Sequence, residues 1–296
     1  MRQLLLKILP NYLIKFYKNY KKGLKNKQRK ILEKNNDIIT QKHIEEKLIK
    51  IGIKDGDIIM LHSSLSKMGL VEGGAQTVIN SFLKIIGSAG TLVMPTFPAV
   101  GFNIDYLKTK PVFNVLNTPS KMGLITETFR KMNNTKRSLH PTDSVSAFGK
   151  EAGYITNSHF DQKTPYNANS PFFKLCELNA KIVLLGVDFN SLTNLHTLED
   201  AVEHFKFPVY HSTIFNCEII NENGEKNIVK TKCHDPKWSR KRKCNELIPL
   251  FREAGFLNEE KLGKANIYII EAKAMHEWML KNYIDKGITM YTPHGS

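Results

Sequence analysis

Two hydrophobic rhythms alternate along this chain. Apolar runs at 57–61, 90–94 and 182–187 have the length of strands, and the last is continuous enough to be a central strand buried on both faces. Between them the spacing becomes helical. Ile44, Leu48 and Ile49 share one face of a helix expected over 40–51 with Thr40 as its cap, and 74–86 reads as a second helix. Residues 98–117 read as a long loop, of the kind that often carries function. Pro119-Ser120 then opens a helix through Ile125 and Phe129, and 144–148 forms a short strand. Ser170-Pro171 starts another helix, because proline at the first helical position loses no hydrogen bond. Thr193 or Asn194 is expected to cap the helix that carries His196. From Val209 the pattern turns extended: 209–220 and 226–232 flank Asn221-Glu222-Asn223-Gly224, a hairpin signal. A helix through Leu247, Leu250 and Phe251, a strand at 267–270 and a helix at 272–281 complete the chain. Such alternation predicts an α/β fold, three-layer α/β/α with a mixed central sheet and a β-rich insertion near 209–233.

Composition changes this picture mainly at the N-terminus. The chain has 296 residues and a formal charge of +15, and residues 1–34 hold eleven Lys and Arg against one Glu, so +10 of that charge sits there. The remainder is near +5, which calls for no nucleic-acid partner, and no recognition module follows the basic stretch. We divide the chain into a basic amphipathic segment, 1–39, and one domain, 40–296. Leu6, Leu9, Leu13, Phe16, Tyr17 and Tyr20 fall at helical spacing among lysines. That pattern suits either peripheral binding of residues 1–34 to anionic lipid or packing on the globular body. Lys7 and Pro10 interrupt the apolar start, so it is too short to span a bilayer. Cys176, Cys217, Cys233 and Cys244 lack the paired spacing of a zinc site, and reduced thiols in a cytoplasmic protein are the expectation.

Chemistry concentrates in four places. His196, in Thr-Asn-Leu-His-Thr-Leu-Glu, is expected near a helix start, where the positive end of the helix disfavours imidazolium and leaves a ring able to accept a proton. Glu199, three residues on, shares its face and can orient it, although a histidine near an apolar helix can equally be a packed one. His140, followed by Pro141 and Asp143, either holds its own turn or walls a cleft. Ser63, Ser64 and Ser66 follow a strand ending at His62. Their N–H and hydroxyl groups can hold phosphate or amide groups, or simply cap a loop. The basic run 237–243 is either a solvated face or a neutraliser of phosphates. Ser63 lacks the G-x-S-x-G elbow of a hydrolase nucleophile, and no nucleotide-binding glycine fingerprint is present.

The segment HSSLSKMGLVEGG, with TPSKMG, RSLHPTDS, SPFFKL and TNLHTLE, resembles the aminoglycoside 3-N-acetyltransferase family from about residue 44 to 204. The resemblance implies transfer of an acetyl (or other acyl) group from acetyl-CoA to an amine of an amino sugar, without a metal. It places His196 and Glu199 in catalysis and the coenzyme against His62, Ser63 and Ser64, with Thr96 and Phe97 as a pocket wall. The RSLHPTDS stretch matches the family at His140, and we expect His140, Asp143 and Glu203 on the acceptor side, under the β-rich insertion. Acceptor ammonium groups call for acids, and Glu199, Asp200, Glu203, Asp161 and Asp188 are available. Acyl length and oligomeric state are not encoded in any motif. Two rival readings remain at this point: an N-acyltransferase for nucleotide- or lipid-linked amino sugars, and a non-catalytic membrane-associated protein on the same fold. The expected location is cytoplasmic, peripheral to the inner membrane face if residues 1–34 bind lipid.

Overall fold

A computed structural model describes residues 38–160 and 163–295, together with 19, 20 and 23. The basic segment proposed as a membrane anchor and the candidate acid Asp161 therefore lie outside the described residues, apart from those three positions. At the centre is a seven-stranded mixed sheet. Strands β2 (Ile58–Ser63), β4 (Thr91–Pro95) and β8 (Lys181–Leu185) run parallel, with β2 between the other two. Antiparallel β7 (Val145–Gly149) and β6 (Lys136–Arg137) extend it beyond β4, and β12 (Ala265–Glu271) and β11 (Leu257–Leu262) extend it beyond β8.

The apolar runs behave as a doubly covered sheet requires. Alternate residues enter opposite cores: Ile59, Leu61, Leu92, Met94 and Val183 face one, while Met60, Val93, Ile182 and Leu184 face the other. Helices α1 (Gln41–Lys50), α3 (Ala75–Ile86) and α5 (Leu124–Arg130) supply Leu48, Phe82 and Phe129 to the first core. Helices α7 (Pro171–Glu177), α10 (Ile248–Glu253) and α11 (Ala272–Lys286) supply Phe172, Phe251 and Met275 to the second. Thr40 caps α1 as expected: its side chain accepts from His43 N while His43 Nδ1 accepts from Thr40 N, both at 3.3 Å. Ser170 likewise accepts from Phe173 N at the start of α7.

Several boundaries differ from expectation. The supposed loop 98–117 contains a short helix, α4 (Asn103–Leu107), and a strand, β5 (Val112–Asn114). The helix expected from Pro119 starts at Leu124, because Ser120 Oγ instead accepts from Met122 N and holds a turn. The extended region near 209–233 is a hairpin, β9 (Phe215–Ile220) with β10 (Lys226–Thr231), and β5 pairs with β9 to make a separate three-stranded sheet. Its turn places Gly224 at φ +81°, a conformation that favours glycine.

The position of β2 fixes where a ligand can bind. Its chain crosses through α3 to β4 on one side, and only much later does β8 arrive on the other. Strand order reverses there, so the crevice outside the carboxyl ends of β2, β4 and β8 is the natural binding edge. The β4–β7 pairing that frames this crevice depends on Gly149, which lies opposite Thr91 at φ +124°. A Cβ at that position would collide with Gly90 O and sit 2.8 Å from Thr91 Cα, both rigid backbone. Gly149→Ala should destabilise the fold by about 1–3 kcal/mol, read as a lower urea midpoint at unchanged m-value. A variant as stable as the parent would contradict this packing.

Candidate active site

Beyond β8 the chain makes two 3-10 turns, Phe189–Ser191 and Thr193–His196, and then the short helix α8 (Thr197–Ala201). The single capped helix expected around His196 is not what forms. Neither Thr193 nor Asn194 caps by side chain, and Asn194 instead donates to Phe172 O at 2.9 Å, anchoring the turn to α7. The spacing His196-x-x-Glu199 nevertheless puts both side chains on one face, and His196 Nδ1 lies 3.0 Å from Glu199 Oε2.

Glu199 is buried and gathers three partners. His234 Nε2 lies 2.6 Å from the same Oε2, and Tyr291 OH donates to Oε1 at 2.6 Å. Burial alone would raise the carboxyl's pKa, but the two imidazoles bonded to it hold it well below the ordinary range. His196 is also lowered, but for the opposite reason: burial pushes it down to about 4, against a smaller upward pull from Glu199. The ring is thus neutral near pH 7 because it is desolvated, and no helix dipole is needed. With its Nδ1–H donating to Glu199, its Nε2 is left to accept.

His196 and His234 both line a cavity of about 430 Å³. Asp143 lines it too, accepting from Tyr166 OH at 2.9 Å and from Asn103 Nδ2 at 3.3 Å. Arg242 turns in from the basic run, with Nε and Nη2 buried and without a hydrogen-bond partner among the described residues. Its neighbours stay outside: Arg240 sits over Phe102 and Lys241 over Trp238. Phe97, Met122, Asn190 and Thr193 are shared with an adjoining pocket of about 240 Å³, reached by His62 and Ser63. His62 Nε2 and Ser63 Oγ are buried there without partners among the described residues. A further groove of about 430 Å³ contains Ser64, Lys67, Asp188 and Lys264 and shares Val187 and Ser191 with that pocket.

The remaining expected residues are placed differently. His140 is fully buried, accepts from Asp143 N at 3.0 Å and contacts Thr231 Oγ1 at 3.1 Å, so it holds its turn beneath Asp143 and does not line the cavity. Thr96 is also fully buried and spends its hydroxyl on Ser144 O and Ser146 Oγ. Glu203 is exposed past the end of α8 and is not brought to the cavity. Asp200 is half-buried and accepts from Tyr210 OH and Tyr166 N. His234, Tyr166, Tyr210 and Tyr291 were not marked by any motif. Donor atoms of His196, Glu199 and His234 lie within 4.8 Å of one another. The 2.6 and 3.0 Å contacts to a single oxygen are hydrogen-bond distances. A tetrahedral ion with bonds of about 2.0–2.2 Å needs its ligands further apart, so these contacts are those of a hydrogen-bonded network.

The model of the aminoglycoside 3-N-acetyltransferase family matches residues 60–283, which takes in every one of these side chains except Tyr291. The chain belongs to that family. It is 33% identical over 195 residues to the SPbeta prophage-derived aminoglycoside N(3')-acetyltransferase-like protein YokD of Bacillus subtilis (strain 168), covering 60% of this chain and 71% of that protein. It is 32% identical over 176 residues to aminoglycoside N(3)-acetyltransferase III of Salmonella sp, covering 55% of this chain and 61% of that protein. The crystal structure of YokD matches with a TM-score of 0.68 at 28% identity, over 83% of this chain and 95% of that one. Aminoglycoside acetyltransferase AAC(3)-Xa shares the fold with a TM-score of 0.75 at 23% identity, over 88% and 97% of the two chains.

Burial of histidines in and around this cavity also sets a pH signature. His62 and His140 are pushed down to about 3, and His159 well below the ordinary imidazole range, chiefly by burial, as His196 is. Their folded pKa values lie below the unfolded value of about 6.5, so the unfolded chain binds more protons as the pH falls through that range. The stability they contribute is intact above about pH 6.5 and is lost on acidification toward pH 4. Asp200, raised to about 6 mainly by burial, works in the opposite direction and offsets roughly one proton. Unfolding near pH 5 should therefore take up protons on balance, and stability should fall as the pH drops from about 6.5 toward 5. Urea titrations between pH 5 and 6.5 with a constant midpoint would contradict the buried neutral histidines.

Proposed function

We propose that the protein transfers an acetyl group from acetyl-CoA to an amine of an aminoglycoside, with His196 as the base. The observation that carries this reading is the ionised, buried Glu199 presenting a neutral His196 to a cavity at the carboxyl edge of the sheet. The acceptor amine enters the cavity and attacks the thioester carbon. His196 Nε2 takes the proton that the nitrogen sheds as the C–N bond forms, and Glu199 stabilises the resulting imidazolium. The thioester oxygen gains charge in that step, and Nε and Nη2 of Arg242, without a partner among the described residues, are donors suited to it. Asp143 offers a carboxylate to a cationic acceptor.

The coenzyme has a separate approach. The narrow pocket with His62 Nε2 and Ser63 Oγ suits the amide-bearing pantetheine arm. The groove beyond it, with Lys67 and Lys264, suits the phosphates. AAC-IIIb, which shares the fold (TM-score 0.68, 20% identity, 82% of this chain and 96% of that one), was solved as a binary complex with CoASH, and AAC-VIa (TM-score 0.70, 18% identity, 83% and 97%) bound to sisomicin. These relatives favour an aminoglycoside amine over a nucleotide- or lipid-linked amino sugar. The assembled His–Glu pair disfavours a non-catalytic role.

Thiol release from acetyl-CoA should require an aminoglycoside. His196→Ala should lower kcat by about 10²–10⁴-fold, and Glu199→Gln should also lower it while leaving KM for acetyl-CoA nearly unchanged. Turnover of His196→Ala near the parent's would remove its assignment as base. The membrane role of residues 1–34 is a separate proposal, resting on their basic amphipathic pattern. No helix among the described residues is long and apolar enough to cross a membrane. Deleting 1–34 should abolish sedimentation with anionic vesicles and spare turnover. Equal sedimentation of the shortened chain would sink the anchor.

A further inference from the structure

Amide formation from an ammonium removes two protons from one nitrogen, and a single imidazole accounts for one of them. An acceptor amine arrives as R–NH3+ and cannot attack until it becomes R–NH2. The second proton leaves only as the C–N bond forms. The cavity holds a second imidazole that the His–Glu reading leaves idle. His234 lines it beside His196, with ring centroids 4.4 Å apart, and its Nε2 is bonded to Glu199 Oε2. Its Nδ1 has no hydrogen-bond partner among the described residues.

We propose that His234 is a second catalytic base, which converts the bound acceptor ammonium to the free amine before His196 acts. This rests on the acyl-transfer reading above. First, R–NH3+ gives a proton to His234 Nδ1, leaving R–NH2 and an imidazolium bonded to Glu199. The amine's lone pair then forms the C–N bond, the C–S bond breaks with its electrons on sulfur, and the nitrogen's second proton passes to His196. His196 returns that proton to the coenzyme thiolate, and His234 loses its own to water through the cavity mouth. The sum is ammonium plus thioester giving amide, thiol and one released proton.

The surroundings fit a ring that gains charge. Glu199 faces it from α8, and the doubly shared carboxylate strengthens its bond to either ring once that ring is protonated. Tyr210 and Tyr166 stack against His234 at 4.8 and 5.5 Å. Asp200 holds Tyr210, Asp143 holds Tyr166, and Asp235 follows in the chain. Arg242 and His196 are the opposing positive or potentially positive groups on the same cavity. Orientation alone does not require His234, because Tyr291 already fixes the other oxygen of Glu199 at 2.6 Å.

His234→Gln tests this, since the amide can still donate to Glu199 but cannot take a proton. With an aminoglycoside acceptor, kcat/KM should fall at least about tenfold at pH 7. The deficit should close by about one decade per pH unit as the acceptor's own ionisation supplies free amine. With a weakly basic amine already neutral at pH 7, the variant should match the parent within about twofold. His196→Gln should be impaired at every pH with both acceptors, and so should Tyr291→Phe to a smaller degree. A His234→Gln deficit constant with pH and alike for both acceptors would mean positioning only and overturn the proposal, as would no deficit at all. If the glutamine variant is recovered unfolded, nitrogen NMR of the full wild-type enzyme decides. Acceptor added without acetyl-CoA should convert the His234 ring to imidazolium, and a ring unchanged by acceptor overturns the assignment. Failure of the wild type to release thiol with any amine would instead defeat the acyl-transfer reading itself.

Discussion

The active edge of this protein is organised by one buried anion, Glu199. A carboxylate removed from water is costly, and breaking such a buried arrangement by removing one partner typically costs about 3–5 kcal/mol. Its partners come from three distant stretches of chain: His196 from its own turn, His234 from just past the hairpin, and Tyr291 from the segment after the last helix. Each stretch is held by ordinary local means. Gly287 ends α11 in a left-handed conformation, and Thr289 Oγ1 accepts from Tyr291 N at 3.0 Å to set the turn. Lys243 N donates to Met290 O at 2.7 Å, tying the basic run that carries Arg242 to the same tail. The site is therefore assembled only when the small sheet and the C-terminal turn are docked on the main domain.

That dependence explains what the sequence could and could not disclose. The three parallel strands were readable because both of their faces are buried, which forces continuous apolar runs. The edge strands were not: Lys136–Arg137 is two polar residues, and Leu257–Leu262 reads LNEEKL, with charge on the solvent side. His196 and Glu199 were readable as a pair because three residues separate them and a helical turn brings such residues together. His234 and Tyr291 lie 35 and 92 residues from Glu199. No periodicity connects them, and only tertiary packing does. Misplacing the helix start at Thr193 or Asn194 did no harm to the pair, since a 3-10 turn leading into a helical turn also puts i and i+3 on one side.

Glu203 and Arg242 show the limit of counting charges along a chain. Glu203 continues the acidic run of α8 but falls past its end and points to solvent, whereas Arg242, flanked by exposed lysines, is the member of its run that turns inward. His140 shows the same for histidines. Its motif was genuine, yet the ring is spent on the turn that sets Asp143, so it acts on the cavity through the backbone.

The same reasoning resolves how a chain of formal charge +15 can receive a polycationic acceptor. Most of that charge sits in residues 1–34, and exposed charges are screened beyond about 8 Å at physiological ionic strength. Inside the cavity Asp143 offers a carboxylate facing Arg242, and Glu199 lies directly behind His196 and His234, among aromatic rings where water is scarce and Coulomb interactions are stronger. At the other end of the same crevice, Lys67 and Lys264 outnumber Asp188. On the proposed reading, this difference favours phosphates at the lysine end and the cationic acceptor beside Asp143. On the same reading, the narrow pocket at His62 and Ser63 admits the pantetheine arm and leaves the thioester to reach His196.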